Sequence, residues 1–147
     1  EKYAVRCGGG INHRMGLDDA AMLKENHIAW AGGIDPAIQA IRRKAPWTSK
    51  IIVEAENAEQ AEIAVKAGAD GILLDEMNCE ELSRLVPRLR DLAAIRAPNQ
   101  NSRGIVLEAS GIKPKDFKAY ANTGIDIISS SAPISKSSWI DLSMRFE

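Results

Sequence analysis

The sequence lacks the features that mark several large protein classes. Its 19 lysines and arginines and 20 aspartates and glutamates leave a formal net charge of −1, so no charge excess points to a nucleic acid or a membrane surface. No apolar run approaches the roughly 20 residues of a membrane-spanning helix, and no signal peptide is visible. The two cysteines, Cys7 and Cys79, lack metal-ligand spacing and are expected to be reduced thiols in a cytoplasmic protein. The 147 residues, 45% of them hydrophobic, suffice for one globular domain with its own core.

Three short apolar segments each end in polar residues. Residues 51–56, 71–76 and 104–110 are runs of four or five apolar residues bounded by turn signals, which is typical of strands buried on both faces. A carboxylate at the end of such a strand is costly to bury without a partner. Two further predicted strands also end in polar residues, so the sequence predicts one polar site where parallel strands finish. The residues at these five ends are Lys24, Glu54, Asp75, Glu108 with Ser110, and Ser129, Ser130 and Ser131.

Helix signals alternate with these strands. Asp35 with Pro36, Asn57 and Asn78 are predicted to begin three helices. Such alternation with short connections predicts parallel strands joined by right-handed crossovers. The sequence supplies about five core strands, whereas a closed (β/α)8 barrel needs eight and about 250 residues. We therefore predict most of a barrel, an open barrel or a doubly wound sheet, and all three bind ligands at the C-terminal ends of their strands.

Three segments are predicted to interrupt the regular elements. Residues 28–33 are expected to form a loop or a short turn. Pro87 falls inside a helical pattern and predicts a kink or a break in that helix. Residues 98–102 are rich in turn-forming side chains and are expected to form an exposed, mobile loop.

The loop at residues 11–19 contains a dense pair of hydrogen-bond donors, His13 and Arg14. It is either a solvated loop or an anion clamp, since the planar fork of arginine suits a carboxylate or a phosphate. Lys24 adds a cation at a strand end. The carboxylates at the strand ends can hold Mg²⁺ together with substrate oxygens, or accept hydrogen bonds from sugar hydroxyls. The serines at 129–131 could present N–H groups and hydroxyls to a phosphate.

Taken in order, these motifs resemble the quinolinate phosphoribosyltransferase family (nicotinate-nucleotide pyrophosphorylase, carboxylating), in its C-terminal barrel portion. The resemblance spans all 147 residues, and although each motif is weak alone, the ordered set is specific. The segments that carry it are Lys-Tyr-Ala-Val-Arg-Cys-Gly-Gly-Gly at 2–10, Asn-His-Arg at 12–14, Leu-Lys at 23–24 with Asn-His at 26–27, Val-Glu at 53–54, Leu-Leu-Asp at 73–75, Leu-Glu-Ala-Ser-Gly at 107–111 and Trp-Ile-Asp-Leu-Ser at 139–143.

The resemblance implies a parallel-stranded, open TIM-like α/β barrel over residues 1–147. It implies transfer of a phosphoribosyl group from phosphoribosyl pyrophosphate to quinolinate with loss of CO₂, giving nicotinate mononucleotide and pyrophosphate in NAD biosynthesis. Mg²⁺ is the implied cofactor, and a dimer or larger homo-oligomer is the implied assembly. An N-terminal domain and further substrate-binding cations would precede Glu1, so this chain alone is expected to be inactive. The alternating apolar residues of 139–147 are expected to form a tail strand that pairs with that missing domain.

The resemblance also implies roles for individual residues. His13, Arg14 and Lys24 would hold the carboxylates of quinolinate and fix its ring nitrogen opposite the anomeric carbon. Glu54 and Asp75 would lie near the ribose and the Mg²⁺, and would stabilise positive charge on the ribose as pyrophosphate leaves. Lys24, Glu54 and Asp75 are therefore the expected catalytic residues. The remaining substrate-binding candidates are Glu108, Ser110, Gly111, Ser130 and Ser131.

Several positions depart from the pattern of the family. Glu76 stands where the family has asparagine, and Ser110 is followed by one glycine instead of two. Ser130 and Ser131 occupy a loop that usually contains glycine, and Ser135 stands where the family has histidine. These departures bear mainly on the phosphate-binding loop.

Three other interpretations are open at this point. The chain could be an aldolase or isomerase that forms a Schiff base on Lys24. It could be a non-catalytic or altered-substrate relative of the same family, linked to metal transport. It could also be a scaffold domain whose tail serves only as an interface.

Overall fold

A computed structural model of the chain describes residues 1–96 and 104–146, in which five parallel strands form one open sheet. Neighbours in the sheet are also neighbours in the sequence, in the order β1-β2-β3-β4-β5. The two outer strands, β1 and β5, do not pair with each other, so the prediction of an open barrel is confirmed. The strands are β1 (Ala20–Leu23), β2 (Lys50–Ala55), β3 (Gly71–Asp75), β4 (Val106–Ser110) and β5 (Ile127–Ile128).

The helices are α1 (Lys2–Cys7), α2 (Glu25–Ala31), α3 (Ile34–Lys44), α4 (Ala58–Ala67), α5 (Cys79–Arg96), α6 (Phe117–Ala121), which follows a 3₁₀ turn at Pro114–Asp116, and α7 (Ala132–Ser135). Helices α2 to α6 lie between consecutive strands, as the alternating sequence pattern predicts, whereas α1 precedes β1 and α7 follows β5. Asn57 and Asn78 cap α4 and α5, because each side-chain oxygen accepts a backbone N–H three residues ahead, at 2.9 Å. None of the described helices is both long and apolar enough to cross a membrane.

The core lies on one face of the sheet. Strand β2 alternates, with Ile51, Val53 and Ala55 fully buried and the residues between them more accessible. The buried face packs under α4 and α5, whose small and branched residues allow close approach to the sheet. The opposite, concave face carries the polar strand ends. The register places Glu54, Leu73 and Glu108 at one level, with Asp75 and Ser110 two residues further along on the same face.

Two aspartates fasten the N-terminal edge of the sheet, away from the polar strand ends. One oxygen of Asp70 accepts hydrogen bonds from the Ile51 N–H at 2.9 Å and from Arg42 at 2.6 Å. Asp126 repeats the arrangement, accepting from the Leu107 N–H at 2.8 Å and from Arg90 at 2.7 Å. Each aspartate therefore joins a helix arginine to the start of a strand.

The hydrogen bonds of Asp70 make the free energy of unfolding depend on pH. Burial raises the pKa of the Asp70 carboxyl, but the Ile51 N–H and the Arg42 guanidinium outweigh it, so this pKa lies below its ordinary value of 3.8. We expect Asp70→Asn to lower the free energy of unfolding by about 1–3 kcal/mol at pH 7. Because the folded-state pKa is lowered, the contribution is complete above the unfolded pKa and is lost as pH falls through the folded pKa.

The measurement is urea unfolding of wild type and Asp70→Asn at pH 7 and again near pH 3. The control is Asp91→Asn, which removes an exposed carboxylate of α5. We expect the difference between wild type and Asp70→Asn to shrink at the lower pH. A difference that is equal at both pH values would contradict an ionised Asp70 as its source.

The prediction of a loop at residues 28–33 is wrong, because α2 extends to Ala31. The helix begins after Lys24, which is not one of the usual capping residues. Instead, the His27 ring nitrogen Nδ1 accepts the Lys24 N–H at 3.1 Å, the hydrogen bond that a glutamate or glutamine side chain accepts in a capping box. Gly32, with φ of 82°, ends the helix in the left-handed conformation.

Two details of the other helices also differ from expectation. Helix α3 begins at Ile34 with Gly33 as N-cap, so Asp35 lies in the first turn, where its charge favours the helix dipole. Helix α5 continues past Pro87, which excludes the predicted break, and the alternative of a kink stays a prediction. The predicted loop at 98–102 lies outside the described residues.

The predicted tail strand is not formed. Residues 139–146 have no regular secondary structure, and Trp139 is fully exposed. The segment pairs with neither outer strand of the open sheet, and its apolar side chains are exposed, so it buries no face against the described part of the chain. Its pairing with a further domain stays a prediction, and Glu147 lies outside the described residues.

Candidate functional site

An ion pair stands at the C-terminal edge of the sheet. The Lys24 Nζ lies 2.6 Å from the Glu54 Oε2, and the Glu54 side chain is 13% exposed. The hydrogen bond to Glu54 raises the pKa of the Lys24 amine above its ordinary value, outweighing burial, with smaller contributions from Glu25 and Asp75. Lys24 therefore remains a cation at neutral pH. A Schiff base requires a neutral amine, so this arrangement disfavours the Schiff-base alternative.

Glu108 lies on the same face of the sheet and is almost fully buried. Only 6% of the residue is exposed, and one carboxylate oxygen lies 3.5 Å from the His13 Nε2. The other oxygen, Oε1, has no hydrogen-bond partner among the described residues. An unpaired buried carboxylate oxygen is rare and calls for a donor from outside these residues.

The hydrogen bonds of His13 indicate which ring nitrogen carries the proton. The Nδ1 atom accepts the Arg14 N–H at 2.8 Å, so the proton of the neutral imidazole is inferred to lie on Nε2, facing Glu108. The carboxylate thereby fixes the orientation of the ring. In this arrangement His13 directs its ring N–H at Glu108 and leaves no second ring N–H for a ligand.

His13, Arg14 and Glu108 line one cavity on the concave face. The neighbouring Asn12 also lines it, and its Oδ1 is a second buried acceptor without a partner in the described chain. The rest of the lining is apolar near the middle of the strands and charged at their N-terminal ends: Ile52, Gly71, Ile72, Val106, Ile127, Lys50 and Asp70. Asn12 was not predicted from the sequence as a site residue, although its position directly before His13 and Arg14 could have indicated it.

The three predicted cations of the clamp are not brought together. The Arg14 Nη1 donates a hydrogen bond to the Ala20 carbonyl at 2.9 Å, at the start of β1. Lys24 follows the end of the same strand, and four residues of extended chain separate these points by about 13 Å. The Lys2 Nζ donates to the carbonyls of His13 and Arg14 and so holds this loop against α1.

Asp75, Ser110 and Gly111 lie together at the strand ends. The register pairs Asp75 with Ser110, and Gly111 turns the chain after β4 with φ of 77°. Such a positive φ favours glycine. The Ser129 N–H donates to the Ala109 carbonyl at 2.9 Å, which brings the segment after β5 alongside this turn.

The hydroxyls of Ser130 and Ser131 contact the first and the last residue of α7, respectively. The Ser130 Oγ accepts the Ala132 N–H at 3.3 Å. The Ser135 Oγ donates to the Ser131 carbonyl at 3.0 Å and lies 3.4 Å from its hydroxyl. Both predicted phosphate-binding serines thus have structural partners within the chain.

The predicted metal ligands, Glu54 and Asp75, stand on neighbouring strands, with Asp75 two residues beyond Leu73, the partner of Glu54 in the register. In the described ranges, no group of three or more His, Cys, Asp or Glu side chains is placed to hold a metal ion. Mg²⁺ is often held by one or two carboxylates together with substrate phosphates. Two carboxylates at a strand edge fit that mode, although Lys24 already occupies one oxygen of Glu54. Both cysteines are free thiols.

The chain is similar to known proteins along its whole length. A family model described as "Quinolinate phosphoribosyl transferase, C-terminal domain" matches residues 1–145. The probable nicotinate-nucleotide pyrophosphorylase [carboxylating] of Synechocystis sp. is 42% identical over 146 residues, which are 99% of this chain and 46% of that protein. The human nicotinate-nucleotide pyrophosphorylase [carboxylating] is 33% identical over 146 residues, 99% of this chain and 46% of its own length.

Solved structures give the same result. A crystal structure of a NadC deletion mutant in a cubic space group superposes with a TM-score of 0.83 at 36% identity, covering 99% of this chain and 47% of that one. NadC from Streptococcus pyogenes superposes with a TM-score of 0.81, also at 36% identity and with the same coverage. The chain spans about half the length of the curated relatives it matches.

Proposed function

The chain belongs to the quinolinate phosphoribosyltransferase family, and from this premise we propose that it provides the catalytic barrel domain of a carboxylating nicotinate-nucleotide pyrophosphorylase. Such an enzyme, a pentosyltransferase, transfers the phosphoribosyl group of phosphoribosyl pyrophosphate to quinolinate. The products are nicotinate mononucleotide, pyrophosphate and CO₂, in NAD biosynthesis. The observation that carries the proposal is the Lys24–Glu54 pair beside Asp75 at the C-terminal strand ends, in a chain matched along residues 1–145.

The strand-end carboxylates would act on the ribose. As the bond from the anomeric carbon to pyrophosphate breaks, positive charge develops on the sugar, and Glu54 and Asp75 would stabilise it. Glu54 is fixed by Lys24 at 2.6 Å, so its charge is held in place before the reaction begins. The Ser110–Gly111 turn, beside Asp75, would receive a phosphate, with Ser130 and Ser131 nearby.

The cations would hold quinolinate. Arg14 offers a planar fork of donors to a carboxylate, and within the described residues its guanidinium donates one hydrogen bond, to Ala20, which leaves the other donors for a ligand. Lys24 would take the second carboxylate only after its side chain moves toward Arg14 on ligand binding, because the two cations are held apart here by Glu54 and by the Ala20 carbonyl. His13 would line the quinolinate site with its ring, which Glu108 holds in place, and would donate no hydrogen bond to the ligand. Together these contacts would place the ring nitrogen opposite the anomeric carbon, which is a positioning effect.

Mg²⁺ is the proposed cofactor. Glu54 and Asp75 would hold it together with phosphate oxygens of the substrate, which agrees with a pair of carboxylates and no third protein ligand in the described chain. When bound, the ion would neutralise charge on the departing pyrophosphate.

Assembly, location and domain composition are also proposals. We infer a dimer or larger homo-oligomer in the cytoplasm, with a further domain that packs on the tail. Two free thiols agree with a reducing compartment. The exposed apolar side chains of the tail agree with a segment that becomes covered. These side chains are Trp139, Ile140, Leu142, Met144 and Phe146.

A second candidate is an altered-substrate or non-catalytic relative of the same family, of the kind linked to metal transport. The observation that favours it is the segment after β5, where Ser130, Ser131 and Ser135 stand in place of the glycine and histidine usual in the family. Such a protein would bind a ligand at the strand ends and release no CO₂.

The test is release of labelled CO₂ from carboxyl-labelled quinolinate with phosphoribosyl pyrophosphate and Mg²⁺. It compares this chain with an extended protein, defined as this chain preceded by the region that the Synechocystis relative has before its matched segment. We expect release by the extended protein, dependent on phosphoribosyl pyrophosphate and abolished by a chelator. A folded extended protein that binds quinolinate and releases no CO₂ would favour the second candidate.

A further inference from the structure

Glu76 has an unusual backbone conformation for its residue type. It follows Asp75 at the end of β3, and its φ of 52° is the one positive value among the described non-glycine residues. The left-handed region is unfavourable for long side chains, whereas glycine and asparagine adopt it readily. The asparagine that the family usually has at this position suits that conformation. Glu76 therefore places a carboxylate at a position whose backbone conformation favours glycine or asparagine.

The side chain of Glu76 lies over the turn proposed to receive phosphate. Its Cγ is 3.5 Å from the position that a Cβ would have on Gly111. The preceding residue, Asp75, is paired in register with Ser110 of the same turn. Glu76 is exposed, and within the described residues no cation forms an ion pair with it. Its negative charge is therefore left uncompensated by the protein beside the Ser110–Gly111 turn.

We propose that Glu76 determines which charge form of the phosphate-bearing substrate binds: it disfavours the metal-free phosphate ester and favours the Mg²⁺ complex. The inference rests on the proposed function, because it assumes that the Ser110–Gly111 turn receives phosphate. Like charges a few ångströms apart repel, and a divalent cation between them reverses the sign of the interaction. Glu76 would act through its charge alone, attracting the Mg²⁺ complex, while Glu54 and Asp75 hold the ion itself.

The test compares wild type and Glu76→Gln in the extended protein. Glu76→Gln keeps the size of the side chain and removes its charge. Binding of phosphoribosyl pyrophosphate is measured by calorimetry, once with Mg²⁺ and once with a chelator. Without Mg²⁺, we expect Glu76→Gln to bind about threefold to tenfold more tightly than wild type, a modest change because the site is exposed to solvent. With Mg²⁺, we expect wild type to bind at least as tightly as the variant.

Two further variants separate charge from other effects. Glu56→Gln removes an exposed carboxylate just after β2, at the same edge of the sheet, and is expected to leave both affinities unchanged. Glu76→Asn removes the same charge as Glu76→Gln and also suits a positive φ. We expect it to show the same reduced dependence on Mg²⁺ and a higher melting temperature.

The outcomes distinguish the inference from the proposed function. If wild type binds phosphoribosyl pyrophosphate and Glu76→Gln has the same affinity in both conditions, the inference is overturned and the proposed function is untouched. If only Glu76→Asn changes the dependence on Mg²⁺, backbone conformation is responsible and the inference is also overturned. If the folded extended protein does not bind phosphoribosyl pyrophosphate in either condition, the proposed function fails, and the inference fails with it.

Discussion

Arg14→Ala in the extended protein is expected to weaken quinolinate binding by about tenfold to a hundredfold, because a charged hydrogen-bond partner of a carboxylate is lost. Arg14 is half-buried in a cavity on the concave face, and one hydrogen bond, to the Ala20 carbonyl, holds its guanidinium. The remaining donors of the fork are the best matched to a planar carboxylate among the cavity-lining side chains. Calorimetric titration of quinolinate into wild type and variant measures the effect.

Two matched variants test whether the fork itself is responsible. Arg14→Lys keeps the charge and loses the planar pair of donors, so we expect an intermediate loss of affinity. Arg6→Ala removes an exposed arginine of α1 and is expected to bind quinolinate as wild type does. Circular dichroism shows whether loss of the Ala20 contact disturbs the fold. Wild-type affinity in a folded Arg14→Ala protein would remove Arg14 from the proposed clamp.

The sheet was predictable from the sequence because its strands carry their own signals. Residues 51–56 and 71–76 are short apolar runs between turn residues, and each becomes a central strand with an almost fully buried face. The capping residues Asn57 and Asn78 likewise act locally, so the starts of α4 and α5 follow from the sequence. Helix α2 was missed because its cap uses the imidazole of His27, which is not a residue that usually indicates a helix start.

The site was only partly predictable, for a physical reason. Residues at the ends of parallel strands lie at the same edge of the sheet, whichever side chains they carry. The proximity of Lys24, Glu54 and Asp75 therefore follows from the strand pattern. The loop that carries His13 has no periodicity, and its position depends on tertiary contacts. The pairing of His13 with Glu108 therefore could not be read from spacing. The tail shows the same limit, since its alternation predicts a strand with one buried face, and whether that face is buried depends on tertiary contacts.

Glu54→Gln in the extended protein is expected to lower kcat for CO₂ release by about a hundredfold to a thousandfold, the range seen when one preorganised electrostatic contact to a transition state is removed. The Glu54 carboxylate is nearly buried and paired to Lys24 at 2.6 Å, so its charge is fixed near the proposed ribose site. Because the charge on the sugar exists only in the transition state, we expect KM for quinolinate to change much less than kcat. Steady-state kinetics with both substrates varied separates the two constants.

Glu62→Gln is a closely matched control for Glu54→Gln. Glu62 also pairs with a cation, Arg88, and its side chain is 18% exposed against 13% for Glu54, but it lies on α4, on the opposite side of the sheet. Loss of an ordinary ion pair would affect both variants in the same way, whereas a role at the ribose affects only one. A Glu62→Gln enzyme as slow as Glu54→Gln would make the loss a matter of stability. A fast Glu54→Gln enzyme would leave Asp75 as the single carboxylate proposed to act on the sugar.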